Sequence, residues 1–280
     1  MTDPRLTPAR EDVAAAHLKG QVKAARYADG VAHQGRVGAS ALRELPTHSS
    51  RLETQLLLGE VFTIYDRADG WAWGQCERDG YVGYLEAGDL QSPPRAPTHR
   101  VRVLRTLVFP QADIKSAPPD FLSLNSKLTI ESTQDRFAKI AGGGYAVAEH
   151  LTPIDSVAED WVAAAELFLG APYLWGGKDS FGLDCSGLVQ TALETGGILA
   201  PRDSDLQEAA LGRALALADD LSGLRRGDLV FWPGHVGIMR DATQLLHASA
   251  HHMMVAVEPL GVAAARIART DGGISSIKRL

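Results

Sequence analysis

Of the two cysteines in this 280-residue chain, Cys76 and Cys185, the second stands where a thiol can act. Asp184 is a good N-cap for a helix whose Leu188, Val189, Ala192 and Leu193 form an apolar stripe and which stops at Gly196-Gly197. Cys185 is then the first helical residue, where unpaired N–H groups and the helix dipole favour negative charge. The expected consequence is a thiol pKa drawn from about 8.5 toward the thiolate range. A lone cysteine is by default a small buried apolar residue. A base changes that reading, and His235 and His247 begin and follow in consecutive strand-like runs. With Arg240-Asp-Ala-Thr243 as the hairpin turn, the two histidines face each other across the strands. One imidazole can then take the thiol proton while the other orients it.

The elements that must hold these groups are readable around them. Ser156 and Glu159 form a capping box, Val157, Trp161, Ala164, Ala165 and Phe168 share a helical face, and Gly170 supplies the stop, which predicts a helix from 156. A Gly-rich turn at Trp175-Gly-Gly177 leads into the cysteine helix, where Gly187 permits a close approach. Strand-like runs follow at 228–232, 235–239, 244–248 and 252–257, so this part reads as helices first and then an antiparallel sheet. Upstream, Glu60-Val-Phe-Thr-Ile-Tyr65 and Gly70-Trp-Ala-Trp-Gly-Gln-Cys76 alternate apolar residues between Asp-Gly turns, the rhythm of a small β-barrel. The Pro-rich Ser92–Pro97 break precedes a second set of short strands ending near Tyr145-Ala-Val147. The predicted divisions are a helical segment over 1–29, β modules over 30–95 and 96–152, and the thiol-bearing domain over 153–280.

Composition narrows the function. With 28 basic and 34 acidic side chains the net charge is −6, which argues against a nucleic-acid footprint. No apolar run reaches the roughly 18 residues of a membrane helix. The start mixes Asp3, Arg5, Arg10, Glu11 and Asp12 without an apolar signal core, and a cytoplasmic location is expected. Gly176-Gly-Lys-Asp179 lacks P-loop spacing, and His247, His251 and His252 lack a zinc pattern. Neither a metal nor another cofactor is expected, and His251 and His252 read as surface or sheet-edge residues. Cys76 reads as packing.

Asp184-Cys-Ser-Gly187, Tyr173-Leu-Trp-Gly-Gly177, Gly234-His-Val-Gly237 and Leu246-His-Ala248 stand in the order found in the NlpC family of papain-like cell-wall cysteine peptidases, and residues 155–280 resemble that family. The resemblance implies a multidomain chain, two small all-β SH3-like barrels followed by an α+β papain-like cysteine peptidase domain, with Cys185, His235 and His247 as the triad. Within the family the whole chain resembles the γ-D-glutamyl-L-diamino-acid endopeptidases, which cut murein peptides behind an N-terminal L-Ala-γ-D-Glu. That resemblance implies Asp184, Ser186 and Tyr81 as the subsite for the free L-Ala amine, with Tyr84 as the alternative to Tyr81. Arg202 and Ser204 suit the free α-carboxylate of D-Glu, since arginine can bind a carboxylate bidentately. An amidase or acyltransferase on the same scaffold, and a non-catalytic wall-binding SH3-like protein, are the competing readings. The preferred diamino acid and the oligomeric state are open.

Overall fold

The computed structural model describes residues 3–216 and 221–280. The chain divides into two compact units, residues 1–156 and 157–280.

The first unit is built of strands. Seven antiparallel strands lie in the order Leu52–Leu57, Ala39–Arg43, Val82–Glu86, Trp71–Cys76, Val61–Ala68, Val31–Gly35 and Leu90–Gln91. The Asp69-Gly70 turn joins two of them with both residues at positive φ, 50° and 82°, the left-handed backbone that an Asp-Gly hairpin supplies. Alternation turns Leu42, Leu56, Phe62, Ile64, Ala72 and Leu85 into a closed core that also takes up Cys76, which is packing as predicted. Beyond the proline-rich break, residues 99–153 form three smaller sheets around Val101, Leu122, Leu128, Ala138 and Ala146. The expected helical segment over 1–29 is corrected. Val13–Ala15 pairs in parallel with Arg26–Ala28, and the one helical turn among the described residues of this segment is a 3-10 turn at Ala16–Leu18. All three residues of the first of these strands are fully buried, which one face of a short surface helix could not achieve.

In the second unit, among the described residues, three helices precede a six-stranded antiparallel sheet, as predicted, but a fourth is inserted before the sheet's last strand in the chain. Helix α1 spans Trp161–Glu166, α2 Cys185–Thr195, α3 Ser204–Ala210 and α4 Leu260–Ile267. The sheet order is Arg213–Ala214, Ser276–Arg279, Leu229–Trp232, His235–Met239, Gln244–Ser249 and Met254–Pro259. Helix α1 starts later than the Ser156 capping box implies: Asp160 is its cap, accepting from the N–H groups of Val162 and Ala163, and Val157 is exposed. Helix α2 packs against the strands bearing His235 and His247 and is buried on nearly every side, not only along its Leu188–Leu193 stripe. Its polar residues are accordingly bonded: Thr191 Oγ1 donates to the Lys178 carbonyl and Gln190 Nε2 to the Ala200 carbonyl.

Candidate active site

Cys185 is the first residue of α2 and Asp184 is its N-cap, as the sequence implies. Asp184 Oδ1 accepts from the Gly187 N–H at 2.7 Å and Oδ2 from the Gly176 N–H at 2.8 Å, so the carboxylate ties the helix start to the Gly-rich turn. Gly187 is required there, because a Cβ at this position would lie 2.3 Å from the Gly177 carbonyl oxygen. The thiol is met from the sheet by the backbone N–H of Val236, the residue after His235, and from its own helix by that of Ser186.

From His235 a chain of hydrogen bonds runs inward. His235 Nε2 lies 2.8 Å from His247 Nδ1, and His247 Nε2 lies 2.9 Å from Glu258 Oε1. Both ends of the chain set its protons. Burial opposes the Glu258 charge, but His252, His247 and Arg266 outweigh it and hold its carboxyl below the usual range. An ionised Glu258 can only accept, so His247 carries its proton on Nε2 and accepts at Nδ1. His235 must then donate from Nε2, which leaves the lone pair of its Nδ1 as the base. The expected face-to-face pairing of the histidines is corrected by two residues. Ile238 pairs with Leu246 and Met239 with Leu245, so the register continued along the strands sets His247 opposite Gly237 and makes the two imidazoles diagonal neighbours. The cause is Asp241, whose Oδ1 accepts from the Thr243 and Gln244 N–H groups and moves the centre of the turn by one residue. An even shift keeps both rings on one face.

A thiol at a helix start, an oriented imidazole and a buried carboxylate behind it form the apparatus of a cysteine hydrolase. Residues 170–265 match the NlpC/P60 family, and residues 42–90 match the bacterial dipeptidyl-peptidase SH3 domain. The chain carries an NlpC/P60-family peptidase domain. It is 26% identical over 246 residues to a γ-D-glutamyl-L-lysine dipeptidyl-peptidase of Bacillus cereus, a match covering 76% of this chain and 72% of that one. With the protein of the same name in Bacillus subtilis it shares 25% over 218 residues, 70% of this chain and 72% of the other. The crystal structure of an NlpC/P60 family protein from Bacillus cereus superposes with a TM-score of 0.75 at 22% identity, covering 89% of this chain and 99% of that one.

In this peptidase the resting protonation states differ from the sequence expectation. Burial, with the Asp184 charge adding, pushes the Cys185 thiol up to about 12, against the lowering expected from the helix start. Burial, with His247 next, draws His235 down to about 3. His247 is drawn down to about 4, burial prevailing over Glu258. Desolvation therefore outweighs the dipole, and the resting pair is neutral thiol and neutral imidazole. Two histidines that refuse protons in the fold destabilise it in acid. As pH falls below about 6.5 the unfolded chain binds protons that the folded one does not, so stability present above that pH is lost progressively toward pH 4 and 3. Ring nitrogen NMR should find both imidazoles neutral at pH 5, and a midpoint of 6 to 7 for either contradicts this assignment.

The remaining predicted residues fall into three places. Arg202 is corrected: it is almost fully buried, and Nη1 and Nη2 donate to Asp184 Oδ1 and Oδ2 at 2.9 and 2.7 Å. Nη1 also reaches Ser186 Oγ and Nη2 the Gly177 carbonyl, so the whole fork is engaged by the protein and clamps Asp184 instead of receiving a substrate carboxylate. Ser186 belongs to this cluster, donating to Asp184 Oδ1, while Ser204 opens α3 half-buried. Tyr81 lies in the core of the first unit with its hydroxyl 3.4 Å from Glu53 Oε2, and the Tyr84 hydroxyl accepts from Arg10 Nη1.

Sequence reasoning missed Glu258, Tyr173 and the inward role of His252. The signal for Glu258 was alternation. His247 pairs with Ala256, so a charged residue two positions further along the same strand faces the same way. His252 Nε2 lies 3.2 Å from Glu258 Oε1 and is not a plain surface residue. Ligand atoms of His247, His252 and Glu258 come within 4.8 Å of one another, but the Arg266 guanidinium bonds the same carboxylate oxygen and places a fixed positive charge where a cation would sit. Tyr173 is near the thiol: burial pushes its hydroxyl up, with the Cys185 and Asp184 charges adding.

Proposed function

We propose that this peptidase hydrolyses the γ-D-glutamyl to L-diamino-acid bond of free murein peptides that carry an unblocked N-terminal L-Ala, as a step in recycling wall peptides. The observation that carries the chemistry is the relay from Glu258 through His247 to His235 beside a helix-start thiol. The choice of bond rests on the two Bacillus relatives, whose name states that substrate and whose length this chain largely spans. We read the second β module as a further SH3-like barrel and residues 157–280 as a papain-like domain.

Cys185 Sγ attacks the γ-carbonyl carbon while its proton passes to His235 Nδ1, so that the neutral pair becomes charged only as the bond forms. The Cys185 N–H has no acceptor within the helix and faces the developing oxyanion, and the Tyr173 hydroxyl supplies a second donor. The C–N bond then breaks as His235 returns the proton to the leaving nitrogen, and a thioester remains. Water, deprotonated by His235, opens the thioester, and the proton returns to sulfur.

The free amine is the feature that separates released peptides from wall. Asp184 keeps 10% of its side chain exposed beside Ser186, and an ammonium brings three donors and a charge to that edge where an amide brings one donor and none. L-Ala-γ-D-Glu-L-Lys should therefore be cut at least about a hundredfold faster in kcat/KM than its N-acetyl form. The comparison is run on wild type by mass spectrometry, because Asp184→Asn would leave Arg202 buried without its counter-charge. Equal rates on the two peptides would sink the proposed amine recognition, and transfer of the acyl group to an amine in place of water would favour an acyltransferase.

A further inference from the structure

His235 lines a pocket of about 380 Å³ that the mechanism above leaves without a task. Tyr173, Ser249, His251, Arg266 and Asp271 complete its polar wall, and all belong to the second unit. Its size is at the small end for ligand sites, room for a residue and not a protein chain. Two opposite charges share it. Arg266 Nη2 donates to Glu258, and its Nη1 and Nε have no hydrogen-bond partner among the described residues. Asp271 accepts from Thr270 Oγ1 on Oδ2 at 2.6 Å, and Oδ1 has no hydrogen-bond partner among the described residues. Both charges act on the His235 imidazole, Arg266 against its protonation and Asp271 for it.

Chemistry decides which half of the substrate lies here. A general acid must be within hydrogen-bond reach of the atom it protonates, and that atom is the leaving nitrogen. The residue that leaves therefore sits over His235 and extends into the pocket His235 lines. In the tripeptide that residue has two charges of its own, an α-carboxylate beside the scissile nitrogen and an ammonium at the end of its side chain. One cation and one anion in the wall match that zwitterion and would oppose an acidic or a doubly cationic residue.

We propose that this pocket receives the departing diamino acid, Arg266 taking its α-carboxylate and Asp271 its side-chain ammonium. The assignment rests on the cleavage proposed above and adds to it the residues that read the diamino acid. Because Arg266 also holds Glu258, the test is placed on Asp271. Wild type and Asp271→Asn are compared on L-Ala-γ-D-Glu-L-Lys and on the same peptide with norleucine, which keeps the carbon chain and lacks the ammonium. Wild type should prefer lysine by about tenfold in kcat/KM, and Asp271→Asn should bring the ratio within about twofold of one. Asp271→Lys should invert it, which a merely structural disturbance would not do. A lysine preference equal in wild type and Asp271→Asn, or absent from wild type while the lysine peptide is still cut, overturns the pocket assignment alone. Failure of wild type to release L-Ala-γ-D-Glu from the lysine peptide overturns the cleavage reading and this assignment with it.

Discussion

Cys185→Ala should lower turnover of L-Ala-γ-D-Glu-L-Lys by at least about four orders of magnitude while leaving the fold intact. The size follows from the absence of a substitute nucleophile: Ser186 next door donates its hydroxyl to Asp184 and accepts from Arg202, and it points into that cluster. The tolerance follows from position. Cys185 is a buried first helical residue, and alanine fits the helix, keeps the N–H and removes one sulfur atom. What is lost in packing is comparable to a methyl-sized truncation, about 1 kcal/mol, small against the stability of a domain. Melting within a few degrees of wild type, together with loss of product by mass spectrometry, is the expected pair of results. A variant that keeps a tenth of the activity shows that another group attacks.

The neutral resting state also shows why the direction of the thiol pKa differs from the one expected at a helix start. A helix start and small polar neighbours are local features and visible in Asp184-Cys-Ser-Gly187, whereas burial depends on α2 lying against the sheet, which no window of sequence contains. The same division runs through the rest of the site. Asp184 as N-cap, the helix stripe and the strand runs are short-range patterns, and they were legible. Arg202, just ahead of Asp203 and Asp205, was expected to meet a substrate carboxylate, yet it is buried because the fork it presents matches a carboxylate 18 residues upstream. Register was legible only to within the turn. A single Asx interaction at Asp241 displaced it by two residues, and the shared face survived because the displacement was even. The matching charges of Glu258 and Arg266 lie on separate elements, a strand end and a helix, and only the fold brings them together.

The relay predicts a graded series. His235→Ala should cost about as much as Cys185→Ala, since thiol and imidazole share one proton transfer and the unit fails when either is missing. His247→Ala should cost less, about a hundredfold, because it removes the group that holds the His235 tautomer but leaves the Nδ1 base in place. His247→Gln should recover part of that loss, its amide oxygen still able to accept from His235 Nε2. Glu258→Gln should fall between about tenfold and a hundredfold. It keeps an oxygen for His247 Nε2–H but surrenders the charge that steadies the imidazolium when His235 takes the thiol proton, and it leaves Arg266 and His252 facing an uncharged amide. Steady-state kinetics on the lysine tripeptide measure the whole series. The order matters more than any one value, because it separates a base from its orienting partner and that partner from its anchor. An inert His247→Ala beside a nearly wild-type His235→Ala would reverse the two roles. It would require the thiol proton to reach an imidazole that is fully buried and already bonded at both nitrogens, which the observed geometry does not allow.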